Sequence, residues 1–287
     1  MELEAISGAA TVALTSTIVF LLIAKTWNAI GRTMASTSSF SDRIMHESAQ
    51  RFRDELDRLT SSQSTYLSGV LVFVMLFIAA YFLQAEHLFA GYPSWQLYLQ
   101  LVFLMLVSGF AVYCLSRTVI ARQQVRFLRD ANIAIGHQLQ QSSLDGARVF
   151  HDVETTAGII DHVIIGQTGL YAINVVARRS FARANARIGE NRIEFSNNKA
   201  GQSIVAINAT TTRLQKTFRD LLGHKVRVRS VIALPGWDIE EQSCDDHLLV
   251  NERTIAMISG WKDNCDYLLN EDVAALQADL VARCARG

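Results

Sequence analysis

Proline is nearly absent from this 287-residue chain, with two residues, and cysteine is scarce, with four. The first scarcity excludes a Pro-rich linker or tail, and the second excludes a disulfide-dense secreted scaffold. Charge is sparse too. Asp, Glu, Lys and Arg make up 19% of the chain, against about 25% in ordinary soluble domains. The 27 basic and 27 acidic residues cancel to a formal net charge of zero, while half of the residues are hydrophobic. That composition points to a membrane, and the length has room for roughly two domains. Phosphate-loop, dinucleotide-binding and nucleophilic-serine signatures are missing. Cys244, Cys265 and Cys284 are too far apart for a Cys-x-x-Cys pair, and Cys114 ends an apolar run. No cysteine metal centre is expected.

What the chain does have is long uncharged runs. Three lie within residues 1–118, at about 5–24, 64–85 and 97–116. Each approaches the ~20 apolar residues that carry a helix across a bilayer. The first is preceded by Glu2 and Glu4 and followed by Lys25. This is the reverse of the charge order of a cleavable export signal. Lys25, Arg32, Arg43, Arg51, Arg53 and Arg58 follow the first run, and Arg117, Arg122, Arg126 and Arg129 follow the third. The segment between the second and third runs has Glu86 and no Lys or Arg. By the positive-inside rule, the N-terminus is expected outside a bacterial-type inner membrane, with residues 25–65 and everything after Arg117 in the cytoplasm. Tyr92, Trp95 and Tyr98 suit the outer interface.

Met45, Ala49, Phe52, Leu56 and Leu59 recur at 4-3-4-3 spacing, which predicts an amphipathic helix over about 38–60. Ala121, Val125, Leu128, Ile135 and Leu139 mark a membrane-proximal helix over 119–140. The two stripes could pair within one chain. Alternatively they could pair between subunits, making a homo-oligomer or a membrane-complex subunit.

From about residue 130 the texture is that of an α/β domain. Strand-like segments span 148–153, 158–166 and 170–176, with another near 192–195. Helical spacing covers 202–222, a β-branched run covers 226–234, and a closing helix is expected over 273–285. Charge is divided within this domain. Residues 178–229 hold twelve basic and three acidic residues, and residues 238–279 hold two and eleven. Arg178, Arg179, Arg183, Arg187, Arg192 and Lys199 form the dense basic part, a candidate nucleic-acid-binding face. Contact with anionic lipid, or pairing between the two blocks, would use the same charges.

The runs Ile135-Gly136-His137, Arg148–Val153 and Ile160-Asp161-His162-Val163-Ile164-Ile165-Gly166-Gln167-Thr168-Gly169 through Val176 carry a more specific signal. They resemble the nuclease-related domain (NERD) family, whose pattern is roughly I-D-H-V-V-V-G-P-x-G-v-f-v-I-E-x-K. Gln202 resembles the glutamine of that family's later motif, and Val231 to Trp237 its last strand and turn. The resemblance spans about 130–260. It implies a restriction-endonuclease-like αβββαβ core within a domain of residues 130–287.

If Gly166 to Gly169 is a tight hairpin turn, paired residues sum to 335, so Asp161 faces Asn174 and shares a surface with Val176. In an active member the resemblance places Asp, Glu and Lys there, the carboxylates holding Mg²⁺. This chain has Asn174 for the Glu, Val176 for the Lys and His137 for the helix-one Glu. A vestigial site of His137, Asp161, Asn174, Val176 and Gln202 is therefore expected, with no cofactor, in a non-catalytic nucleic-acid- or protein-binding module. Asp161 alternatively serves a hairpin hydrogen bond. A rival reading keeps a Mg²⁺-dependent nuclease through migrated residues, with Arg178, Arg179, Glu154 and Glu190 as candidates. An acid and a Lys or Arg close to Asp161 in the folded domain would favour that rival.

Overall fold

The structure, a computed structural model, describes all residues except 1, 36–44, 83–93, 143–146, 180–183, 190, 197–200, 241–242, 245–246, 262–266 and 285–287. Arg183, Lys199 and Glu190 lie outside the described residues, as do parts of the expected 38–60 helix and the end of the second run. The chain divides into two units, residues 1–38 with 54–125, and residues 39–53 with 126–287.

The first unit is helical. Helix α1 spans Glu2–Ala35, α2 spans Gln50–Phe82 and α3 spans Ser94–Ser142, the last two also running into the second unit. All three have windows long and apolar enough to cross a membrane, judged by length and composition. Their outward surfaces are apolar: Leu22, Leu71, Met75, Met105, Leu106 and Phe110 are all exposed. Soluble domains rarely expose a contiguous apolar surface of this kind. Intrahelical bonds such as Thr17 Oγ1 to the Ala13 carbonyl, at 2.7 Å, satisfy the hydroxyls. The third run and the membrane-proximal helix are one continuous α3, because no Gly or Pro interrupts residues 110–135. The expected 38–60 helix starts at Gln50 in α2. Ahead of it, Met45 sits in a bridge and Ala49 has a left-handed φ of 62°, which ends any helical stripe there.

The second unit is a mixed α/β domain. Strands β1 (Arg148–Thr155), β2 (Gly158–Gly166) and β3 (Gly169–Val175) pair antiparallel. Two short strands follow, β4 (Asn185–Ile188) and β5 (Arg192–Phe195), then the two-residue β6 (Gln202–Ser203) and helix α4 (Val205–Leu222). Strand β7 (Val228–Ala233) pairs parallel to β3. The remaining elements are β8 (Asp238–Ile239), β9 (Ser243–Cys244), β10 (His247–Val250), a 3₁₀ turn Ile255–Gly260 and α5 (Asn270–Cys284). The large sheet runs β1-β2-β3-β7-β10-β9 and a small one runs β6-β5-β4-β8.

Side-chain alternation divides the core between the two faces of the large sheet. Val163, Ile165, Leu170, Ala172 and Val228 pack with Leu214 and Phe218 of α4 and Leu276 and Leu280 of α5. Ile173, Val231 and Val250 pack on the other face with Ile135 and Leu139 of α3. A third cluster, built on Trp237 and Ile193, joins the small sheet to Ile232. The hairpin register is the expected one: His162 to Gly166 pair with Ile173 to Gly169. Gly169, at φ 144°, makes the turn that L side chains resist.

Candidate functional site

The site originates in a break in strand alternation. Phe150 and Val153 lie three residues apart yet enter the same core, and so do Ile160 and Val163. Between each pair stands an aspartate, Asp152 in β1 and Asp161 in β2. Their pairing is missing from a register that is otherwise continuous. Asp152 has a φ of 51°, a left-handed conformation that Asp tolerates better than most residues. The kink turns both carboxylates out of the ladder, and each is 5% exposed.

The segment Met45–Arg53 meets them. Met45 packs against the core cluster around Phe150. His46 N–H donates to the Cys284 carbonyl at 3.0 Å. Ser48 Oγ donates to the Asn132 carbonyl of α3 at 3.1 Å. That approach needs Gly136, where a Cβ would stand 2.3 Å from Ser48 Oγ. The first turn of α2 then presents two kinds of donor. Arg51 N–H donates to Asp152 Oδ2 at 3.2 Å, so Asp152 supplies a carboxylate where the helix dipole favours one. The Arg51 guanidinium bonds directly to Asp161 Oδ1, and its Nε lies 3.5 Å from Asp152 Oδ1. The other oxygen of Asp161 accepts Val175 N–H at 2.6 Å, just past the end of the β2–β3 ladder.

Burial dominates the electrostatics. It pushes Asp161 up to about 6, against the opposing pull of Arg51 and the Val175 N–H. The close ion pair alone would lower this pKa, but desolvation of a carboxylate this deep outweighs it. Burial raises Asp152 as well, with Arg51 pulling the other way. Beside them, His151 and His162 face each other with Nδ1 atoms 2.8 Å apart. Only one of the two nitrogens can carry the shared proton. Burial lowers His151 to about 4 and holds His162 well below the ordinary range, so both are neutral at pH 7.

The residues expected here are only partly brought together. Asp161 is central. Continuing the register puts Asn174 opposite it, buried, with an Nδ2 that has no hydrogen-bond partner among the described residues. Val176 turns to the Trp237 cluster and its N–H donates to the Ala233 carbonyl at 2.8 Å, so it acts as core. His137 is exposed on α3. Gln202 is exposed on β6 rather than starting a helix, because the chain there pairs with Ile193 before α4 begins. The migrated candidates are elsewhere: Glu154 is exposed, Arg178 lies over Phe195 with its guanidinium 4.7 Å from the ring, and Arg179 lies 5.8 Å from the Phe127 ring. Sequence reasoning missed Arg51 and Asp152. Asp152 did have a signal, an acid set between the apolar Phe150 and Val153 of a strand-like segment. Arg51 had none, since 110 positions separate it from Asp161.

Residues 129–235 match the family model of the nuclease-related domain (NERD). The chain contains a nuclease-related domain. No curated protein and no solved structure matches the chain. Asp152, Asp161, Asn174 and Val176 all fall within the matched stretch, whereas Arg51 comes from outside it. The resemblance implies a divalent metal at the aspartates of the nuclease-related domain, and the residues present do not fit one. Both carboxylates already share the Arg51 guanidinium, Asn174 brings no charge, and Val176 is apolar. Among the described residues no group of three or more His, Cys, Asp or Glu side chains is placed to hold a metal.

Of the basic face, Arg187 pairs with Glu194 at 2.7 Å across β4 and β5, while Arg179 and Arg192 are exposed. Trp237 Nε1 donates to the Arg178 carbonyl at 2.9 Å, tying the start of this face to the core.

Proposed function

We propose that this protein is a membrane-anchored, non-catalytic nuclease-related domain that serves as a cytoplasmic binding module. One observation carries the reading: the Arg51 guanidinium is held by both Asp161 and Asp152, the carboxylates that a metal would need. A permanent cation on the chain replaces an exchangeable one, converting a hydrolytic centre into a structural ion pair. The order of α3, β1 to β3, α4 and β7 supports a restriction-endonuclease-like core. The three apolar helices and their flanking Lys and Arg support an anchor with the domain on the cytoplasmic side. Exposed Arg179 and Arg192 support nucleic acid as the partner, through phosphate contacts.

A second reading draws on the same cluster. Asp152 and Arg51 stand close to Asp161, the acid and the arginine expected to favour a migrated nuclease site. The geometry favours the structural role, because Arg51 caps the carboxylates instead of leaving them open to a metal and a scissile phosphate. The test is a DNA-cleavage assay on the full chain in detergent with Mg²⁺ or Mn²⁺, alongside Asp161→Ala. The expected result is no cleavage above background in either protein. Cleavage by the wild type that is lost in Asp161→Ala would overturn the proposal in favour of the second reading.

A further inference from the structure

A second polar site lies away from the aspartates. Strands β3 and β7 run parallel, Leu170 pairing with Val228 at one end and Val175 with Ala233 at the other. Asp161 bonds at the Val175 end. At the opposite end, where β7 and β10 begin and α4 crosses them, a cavity of about 440 Å³ opens. This is within the size range of small-molecule sites.

Its walls carry cations and no carboxylate among the described residues. Lys225, Arg227 and Arg229 line it from the chain entering β7. Arg229 is 8% exposed and its guanidinium is stacked 4.8 Å from the centre of the Trp261 ring, so one cation is held in place at the wall. From α4 and β7, Thr211 and Ser230 line the same space, and they are 7% and 5% exposed. Among the described residues neither hydroxyl oxygen has a hydrogen-bond partner, and nor does Oδ1 of Asn208 on the same wall. Buried polar atoms almost always find partners, so three orphans on the wall of one cavity leave contacts that a polar ligand can complete. Gln215 is already engaged, its Oε1 accepting Val228 N–H at 3.2 Å, which fixes the α4 wall against the strand.

We infer that this cavity binds a phosphorylated small molecule of about mononucleotide size. Three cations and two hydroxyl donors suit a phosphoryl group, which is all acceptor when dianionic. The Asn208 carbonyl oxygen needs a donor, which a sugar hydroxyl supplies and a phosphate dianion does not. The volume likewise exceeds what a bare phosphate fills.

The test uses the full chain in detergent at constant ionic strength, with thermal unfolding followed on adding a nucleoside 5′-monophosphate, inorganic phosphate or the unphosphorylated nucleoside. The monophosphate is expected to raise Tm by about 3 °C or more near saturation. Phosphate should raise it less, and the nucleoside not at all. Lys225 and Arg227 are exposed, so K225A/R227A should keep its fold while binding the monophosphate at least tenfold more weakly. Thr211→Val should match or exceed the wild-type Tm without ligand, yet lose much of the ligand-induced rise. Absence of any rise with the monophosphate would overturn the inference. So would an equal rise with the nucleoside, or an undiminished rise in K225A/R227A.

Discussion

At the scale of single residues, Arg51 and the two aspartates behave as a unit whose members hold one another's charge. Replacing Arg51 with Met removes the main group that pulls the pKa of Asp161 down, so that pKa should climb above about 6. Loss of one partner from a buried pair costs about 3–5 kcal/mol. Arg51 is 32% exposed, so solvent screening reduces the expected loss to about 1–3 kcal/mol. The loss should be largest above pH 6, where Asp161 is ionised. Chemical denaturation of wild type and Arg51→Met at pH 5 and pH 7.5 would measure both effects; equal losses at the two pH values would contradict the pairing. The histidine pair works in the opposite sense. His151, depressed from 6.5 to about 4, contributes stability that is complete above about pH 6.5 and is lost as pH falls towards 4. Asp161, raised to about 6, contributes stability present below about pH 4 and lost as pH rises through 6. The two slopes oppose each other in one window. Asp161→Asn should therefore leave a steeper acid loss of Tm between pH 6.5 and 4 than the wild type shows.

At the scale of elements, the hairpin β2–β3 was legible because Gly166-Gln167-Thr168-Gly169 joins two apolar runs. Its register follows from the turn alone. The kink at Asp152 and Asp161 was not legible, since strict alternation assigns a face to every residue and gives no sign of where a strand turns over. Strand β10 was missed for a different reason: His247 to Val250 is four residues long and follows an acidic stretch that reads as loop. The amphipathic stripe from Met45 to Leu59 misled, because Met45 packs into the core from a bridge and Ala49 breaks the helix with positive φ. Gly136 makes that docking possible. In Gly136→Ala the new Cβ must displace Ser48, and the better helix propensity of Ala does not relieve the clash. Hydrogen exchange should then quicken over residues 45–53 while β2 and β3 stay protected; unchanged exchange over 45–53 would show that Gly136 does not govern the approach. On the basic face, the proposed nucleic-acid binding predicts a salt effect. R179A/R192A should flatten the slope of log affinity against log salt by roughly two units, at about 0.9 for each phosphate left without its arginine.

At the scale of the molecule, a formal charge of zero conceals two chemistries. The first unit exposes Leu, Met and Phe on three apolar helices, and the second buries Asp161 and Asp152 beneath a guanidinium. An apolar exterior of this kind should keep the chain in the membrane pellet through an alkaline carbonate wash; release into the supernatant would argue against an anchor. Whether the nuclease-related domain still works as a nuclease depends on which cation its aspartates hold. The most direct measurement is a calorimetric titration of Mn²⁺ into the full chain in detergent, repeated on Asp161→Asn. The Arg51 pairing predicts no binding in the millimolar range or tighter for the wild type, and no difference between the two proteins. Saturable binding by the wild type that disappears in Asp161→Asn would show that the aspartates remain a metal site.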